Sequence, residues 1–300
     1  MASVMTEDSV ERASLSTFRT IGMTLAGLVI NAVGPMIVFV DNKADADGFF
    51  MAAVIFGLLA IACYMGCYKF TTERIVAPEG STEKMDLKTT LKGLVKNKPL
   101  ITILTVSLLF MMNAMLIGAV NVYLFKDYFS SAATLSFVSI AQTAAVLLVA
   151  PFMTKLASKF GKKEISIVGL TIATAVYFVL YFLKDIDAMT FVIILFFANI
   201  GYALFNTVIW AFVTDVIDYQ EYLTAQREDG TVYSVYSFAR KVGQAVAGGI
   251  GGFAIAAVGY NSALEVQTEE ALDGIHMLAT LVPALAYLAC LLVLIFFYPL

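Results

Sequence analysis

Eight apolar stretches, each about as long as a bilayer is thick, leave this chain few possible folds. Their cores are Thr20–Phe39, Phe49–Tyr68, Leu100–Leu124, Ala133–Met153, Ile165–Phe182, Thr190–Val213, Val232–Val258 and His276–Tyr298. A helix needs roughly 20 apolar residues to cross the hydrocarbon layer. Each stretch is predicted to be a helix, because lipid offers backbone N–H and C=O groups no partner outside the segment. Strands of a membrane barrel would be shorter and would alternate. Composition points the same way: 60% of residues are hydrophobic and 14% charged, against about 45–50% and about 25% in soluble domains. The expected fold class is an all-α membrane protein.

Lys and Arg placement orients the bundle. Arg12, Arg19, Lys69, Arg74, Lys84, Lys88, Lys92, Lys96, Lys98, Lys155, Lys159, Lys162, Lys163 and Arg227 all fall on one side of the predicted spans. Only Lys43, Lys126 and Lys184 fall on the other, and Arg240 and Lys241 lie within a span. The positive-inside rule predicts that both termini and the 71–98 loop are cytoplasmic, in a plasma or inner membrane. The net charge of -4 suggests no nucleic-acid partner. Residues 1–18 are polar and acidic, unlike a signal peptide. Cys63 and Cys67 lie one turn apart, Cys290 is distant, and His276 is the only histidine. That set offers neither a disulfide framework nor a metal site, and no nucleophile stands beside a base. No enzyme, metal or organic cofactor is expected.

The 71–98 loop divides two helices (residues 1–70) from six (99–300). Within it Leu87, Leu91, Leu94 and Val95 follow helical spacing, with Lys88, Lys92 and Lys96 between them. That pattern fits either an amphipathic helix on an anionic leaflet or a solvated linker.

Polar groups inside the spans are the candidate site. A charge deep in a membrane helix costs roughly 2.5–3.5 kcal/mol on insertion scales and by default marks function. Arg240 and Lys241 are therefore either ligand-facing or buried structural cations. As neighbours about 100° apart on a helix they cannot share one cavity. Tyr233, Ser237, Lys241 and Gln244 form one stripe, and hydroxyl, ammonium and amide groups with an aromatic face suit a polyol. Gly243, Ala247 and Gly251 repeat every four residues, a spacing that lets two helices approach closely. Asn113, Asn121, Gln142 and Thr143 are polar too; such groups either glue helices together or line a cavity. Asp215 and Asp218, three apart, share a helix face. They are either a solvated helix end or a gate closed by Arg227 or Lys162. Trp210, the only tryptophan, is either an interfacial anchor or a stacking platform.

The run Asp215–Tyr222, then Gln226–Gly230, Tyr233-Ser234 and Phe238–Gln244, resembles the signature of the glycoside–pentoside–hexuronide:cation symporters, within the major facilitator superfamily. Asn97-Lys98-Pro99 and Gly161-Lys162-Lys163 are similar to it as well, as are Met5–Asp8, Glu11-Arg12, Leu15-Ser16 and Phe18-Arg19. The resemblance covers nearly the whole chain. It implies two six-helix bundles, alternating access around a midplane site, and symport of a sugar or glycoside with Na⁺ or H⁺. It implies a sugar and cation-coupling role for Lys241, with Ser237 and Tyr236 at sugar-facing positions. The helix-ten tryptophan of the melibiose carrier corresponds to Asn206, one turn before Trp210. On this pattern the chain matches helices five to twelve, an N-terminally truncated bundle of about eight spans, expected to be inactive alone. Its first two helices should lack partners, leaving missing N-terminal helices, a second copy of the chain, or lipid to cover them. The alternatives are a non-transporting membrane remnant or a transporter of a lipid-like or other non-sugar substrate.

Overall fold

The computed structural model describes residues 5–6, 8–40, 43–44, 46–72, 94, 96–131, 134–224, 229–264 and 266–299. Among these, eight long helices follow the eight apolar stretches: α1 Ser9–Val38, α2 Ala46–Phe70, α3 Lys98–Tyr123, α4 Leu135–Phe160, α5 Lys162–Phe182, α6 Ala188–Thr224, α7 Asp229–Ala257 and α8 Glu269–Phe297. A two-residue ladder, β1 Phe39–Val40 with β2 Lys43–Ala44, joins α1 to α2. A single π-turn, Leu124–Tyr128, extends α3.

Six helices are apolar and long enough to cross a membrane: α2, α3 with its π-turn, α4, α5, α6 and α8. Helices α1 and α7 match them in length, at 30 and 29 residues, but carry polar stripes that lower their mean hydropathy. Two helices outrun their apolar cores the furthest. Helix α1 starts at Ser9 rather than Thr20, and α6 continues past Val213 to Thr224. In both cases the polar extension finds partners on the other helix, so the chain has no reason to leave the helix where the apolar run ends.

Local signals set the helix ends. The Asn97 side chain accepts from the Leu100 N–H at 2.9 Å, with Pro99 in the first turn, where a missing N–H costs nothing. Gly161 takes φ +90°, ending α4 and opening α5 in one residue, a conformation that favours glycine. Thr268 caps α8 through the Ala271 N–H. Asp187 caps α6, accepting from the Met189 and Thr190 N–H groups and the Thr190 hydroxyl. Those bonds hold its carboxyl below the usual range, the Thr190 hydroxyl contributing most.

Helices α3–α8 pack around one core. Helix α6 lies between α4 and α5, α8 joins α5 to α3, and α7 runs along α3. Phe110 sits at the centre, stacked on Tyr202 with ring centres 5.0 Å apart and edge-on to Phe205 and Tyr287. Two seams bring backbones together. On α7, Gly243 faces the Leu108 carbonyl and Gly251 faces Ala119 of α3, with Ala247 buried between them. The small-residue repeat is thus a close helix contact. Gly169 of α5 and Gly201 of α6 make a tighter crossing, in which a Cβ on Gly169 would lie 2.7 Å from the Gly201 carbonyl.

The expectation that the first two helices lack partners is corrected for α1. It packs along α4 and α6, while α2 leans on α1. Helix α2 leaves Phe50, Leu58, Tyr64 and Tyr68 exposed, an apolar surface suited to lipid or to other helices. Residues 73–93 lie outside the described set, and with them most of the amphipathic segment; Leu94 is buried against the bundle.

Candidate functional site

The C-terminal end of α6 is a hub. Asp215 and Asp218 project from adjacent turns and meet cations from two different helices. Lys162, in the first turn of α5, donates to both Asp215 oxygens at 2.7 and 2.6 Å. Arg12 of α1 donates from both terminal nitrogens to the two Asp218 oxygens, and its Nε reaches the Thr6 carbonyl at 2.9 Å. Gln220 accepts from Asn97 Nδ2 at 2.9 Å, tying the start of α3 to the same place. Lys163 donates to the Tyr298 carbonyl at the end of α8. The two carboxylates thus hold α5 and α1, and Gln220 adds α3, so one helix end holds three neighbours.

The two ion pairs differ in what they join. Lys162–Asp215 links α5 and α6 inside the six-helix bundle. Arg12–Asp218 links α1 to that bundle. Arg12 belongs to a stripe: Ser16, one turn on, donates to the Thr207 carbonyl. Arg19, another turn on, places its guanidinium carbon 3.5 Å from the centre of the Trp210 ring. All three partners are on α6. This stripe was missed in the sequence, although Arg12, Ser16 and Arg19 stand at i, i+4 and i+7, the spacing of one helix face. Arg227, the other proposed partner of the acidic pair, lies outside the described residues.

Above the hub, Trp210 is half-buried in a cluster of rings and cations. Tyr233 stacks on it with centres 5.7 Å apart, Tyr236 meets it edge-on at 5.2 Å, and the Arg240 guanidinium lies at 4.9 Å. Arg240 and Lys241 diverge, as neighbours on a helix must. Arg240 turns to Trp210, while Lys241 is exposed and donates to Gln244 at 3.1 Å. Tyr236 is wholly buried, with its hydroxyl beside that of Ser107 on α3. Ser237 is half-buried one residue further on. Asn206 is buried one turn before Trp210, and Asn113 is buried on α3 with both amide atoms unpartnered.

A second polar place opens toward the other end. A cavity of about 260 Å³ lies among α3, α4, α5, α6 and α8, and Asn121, Gln142, Asn199, Tyr177 and Tyr202 are among its lining residues. The structure therefore brings Gln142 together with Asn121, and Lys241 together with Gln244. These pairs lie in two places, and Lys241 is not among the residues that line the cavity of Asn121 and Gln142. At the far end Lys184 pairs with Asp273 at 3.0 Å, which raises the lysine's pKa, the hydrogen bond contributing most.

A bundle of apolar helices with charged and hydroxylated groups between them defines an integral membrane protein. The profile of the MFS/sugar transport protein family matches residues 1–300, and the chain belongs to that family. It is 30% identical over its whole length to an uncharacterized symporter of Bacillus subtilis, covering 65% of that protein. It is 27% identical to a glucuronide carrier protein homolog of Escherichia coli, again covering 65%. It is 26% identical over 98% of its length to an isoprimeverose transporter of Lactiplantibacillus pentosus, covering 61%. The chain thus spans somewhat less than two thirds of the length of these relatives.

Proposed function

We propose that this chain is the sugar-binding and gating part of a secondary transporter that moves a sugar or glycoside together with Na⁺ or H⁺ by alternating access. The observation that carries the reading is the polar face of α7. Tyr233, Ser237, Lys241 and Gln244 form one stripe of a helix in a bundle belonging to a sugar-transport family. The relatives named for a glucuronide and for isoprimeverose support a sugar-like substrate. Lys241 is the coupling residue in this reading, its ammonium held by Gln244 while no carboxylate of the described residues neutralises it. The basic end, with Lys162, Lys163 and Arg12, faces the cytoplasm by the positive-inside rule. There the Arg12–Asp218 pair is a gate.

The test is uptake of labelled glycosides into vesicles from cells making the protein as its native gene encodes it, with and without Na⁺ or proton gradients. Gradient-driven uptake that is lost in Lys241→Ala is expected. Undiminished uptake in that variant would remove Lys241 from the site, and uptake indifferent to every cation gradient would remove coupling.

A further inference from the structure

A groove of about 580 Å³ runs along the bundle between α4 and α6. For most of its length the lining is apolar, with Leu148 and Phe152 from α4 and Ile200 and Leu204 from α6. Its basic-side end differs. Lys155 and Lys159, one turn apart on α4, are the charged residues among those that line it. Both are exposed, and neither is in an ion pair among the described residues. The next cations along the chain are already engaged, Lys162 by Asp215 and Lys163 by the Tyr298 carbonyl. Leu148 and Lys159 stand eleven positions apart, about 16 Å along a helix. Half of a bilayer's hydrocarbon layer is about 15 Å. The groove is therefore one leaflet deep, apolar over that depth and cationic where lipid head groups lie. Lysines at the end of a helix also offset its dipole. That role explains the charges but not the apolar groove leading up to them.

We propose that this groove binds one anionic phospholipid of the basic-side leaflet, with an acyl chain between α4 and α6 and the phosphate on Lys155 and Lys159. Charge selects the head group. Phosphatidylglycerol offers a phosphate with no cation of its own, whereas phosphatidylethanolamine brings an ammonium up to two lysines. A second copy of the chain packed on the same patch about a two-fold axis would set lysines against lysines. The site is independent of the substrate carried, because no residue of α7 lines the groove.

The test is native mass spectrometry of the protein as its native gene encodes it, stripped of lipid in detergent. It is titrated with dioleoyl phosphatidylglycerol or with dioleoyl phosphatidylethanolamine. The first phosphatidylglycerol is expected to bind about tenfold or more tighter, since each basic side chain near an anionic lipid contributes about fivefold. This comparison needs no altered protein. Replacing both lysines, Lys155→Gln with Lys159→Gln, should weaken that first lipid roughly 25-fold. The melting temperature in lipid-free detergent should not change, because both side chains are exposed. Leu148→Trp, which fills the groove without changing charge, should weaken it too. Lys69→Gln, at an exposed lysine in the last turn of α2, removes the same charge elsewhere and should leave it unchanged. Equal affinity for the two lipids would overturn the inference, as would undiminished binding in the double variant. An equal loss in Lys69→Gln would also overturn it, since general surface attraction would then account for the binding. Displacement of the lipid by glycerol phosphate at matched concentration would reassign the lysines to a soluble phosphate. A dimer mass that Leu148→Trp abolishes, with no lipid retained, would give the groove to a second copy.

Discussion

Removing the carboxylate of Asp218 should open the basic end, and removing the ammonium of Lys162 should not. The Arg12 side chain is 3% exposed and that of Asp218 41%. Breaking a fully buried pair from one side costs about 3–5 kcal/mol. One partner here is well exposed, so screening reduces the expected loss to roughly 1–2 kcal/mol. That is about a 5- to 30-fold shift in a closed–open equilibrium. The reporter is Ser16→Cys, which replaces a side chain that is 4% exposed under the pair, in the protein as its native gene encodes it. A thiol reagent applied to the basic side should label it about 5- to 30-fold faster in Asp218→Asn. Lys162→Met should lower the melting temperature, because it leaves Asp215 unpaired, while changing the labelling rate less than about twofold. Unchanged labelling in Asp218→Asn would refute the gate. So would equal acceleration by Lys162→Met, because the helix α1 contact would then not be what closes that end.

Three further outcomes follow from the packing. Gly169→Leu or Gly201→Val should destabilise the protein by about 1–3 kcal/mol or more through overpacking, whereas Gly57→Ala, with open space around it, should be neutral; thermal melting in detergent distinguishes them. Asn97→Ala should cost about 2–4 kcal/mol by the same assay, because it removes the α3 cap and strands Gln220 without its donor. Asp187 is held below its ordinary value of 3.8, so its capping bonds add stability above that pH and lose it as pH falls through the lowered value. Asp187→Asn should remove that acid-side component of the melting curve, and an unchanged acid limb would refute the assignment.

The helices were legible because lipid makes apolar length a sufficient signal, and all eight stretches are helical. Their ends were not, because hydropathy stops at Thr20 and Val213 while the helices run on. What extends them is pairing between Arg12 and Asp218, two residues 206 positions apart, and no local pattern reports such a partner. The acidic face of Asp215 and Asp218 was readable from spacing, as was Lys162 as a partner. The part of Arg12 and Arg19 was hidden because both precede the apolar run that begins at Thr20, where hydropathy gives no sign of a buried helix face. The α7 seam of Gly243, Ala247 and Gly251 was visible as a repeat. The Gly169–Gly201 crossing was not, because each glycine is isolated in its own helix and only the fold brings them together.

The arrangement of contacts on α6 constrains how the protein can move. If α1 shifts against α6, three contacts must break: Arg12 with Asp218, Ser16 with the Thr207 carbonyl, and Arg19 with Trp210. All three lie on one stripe of α1 and one helix of the bundle. Lys162–Asp215 and Asn97–Gln220 would stay closed, because both their partners travel with the bundle. The fold therefore separates a set of bonds that keep the bundle rigid from a set that motion can release.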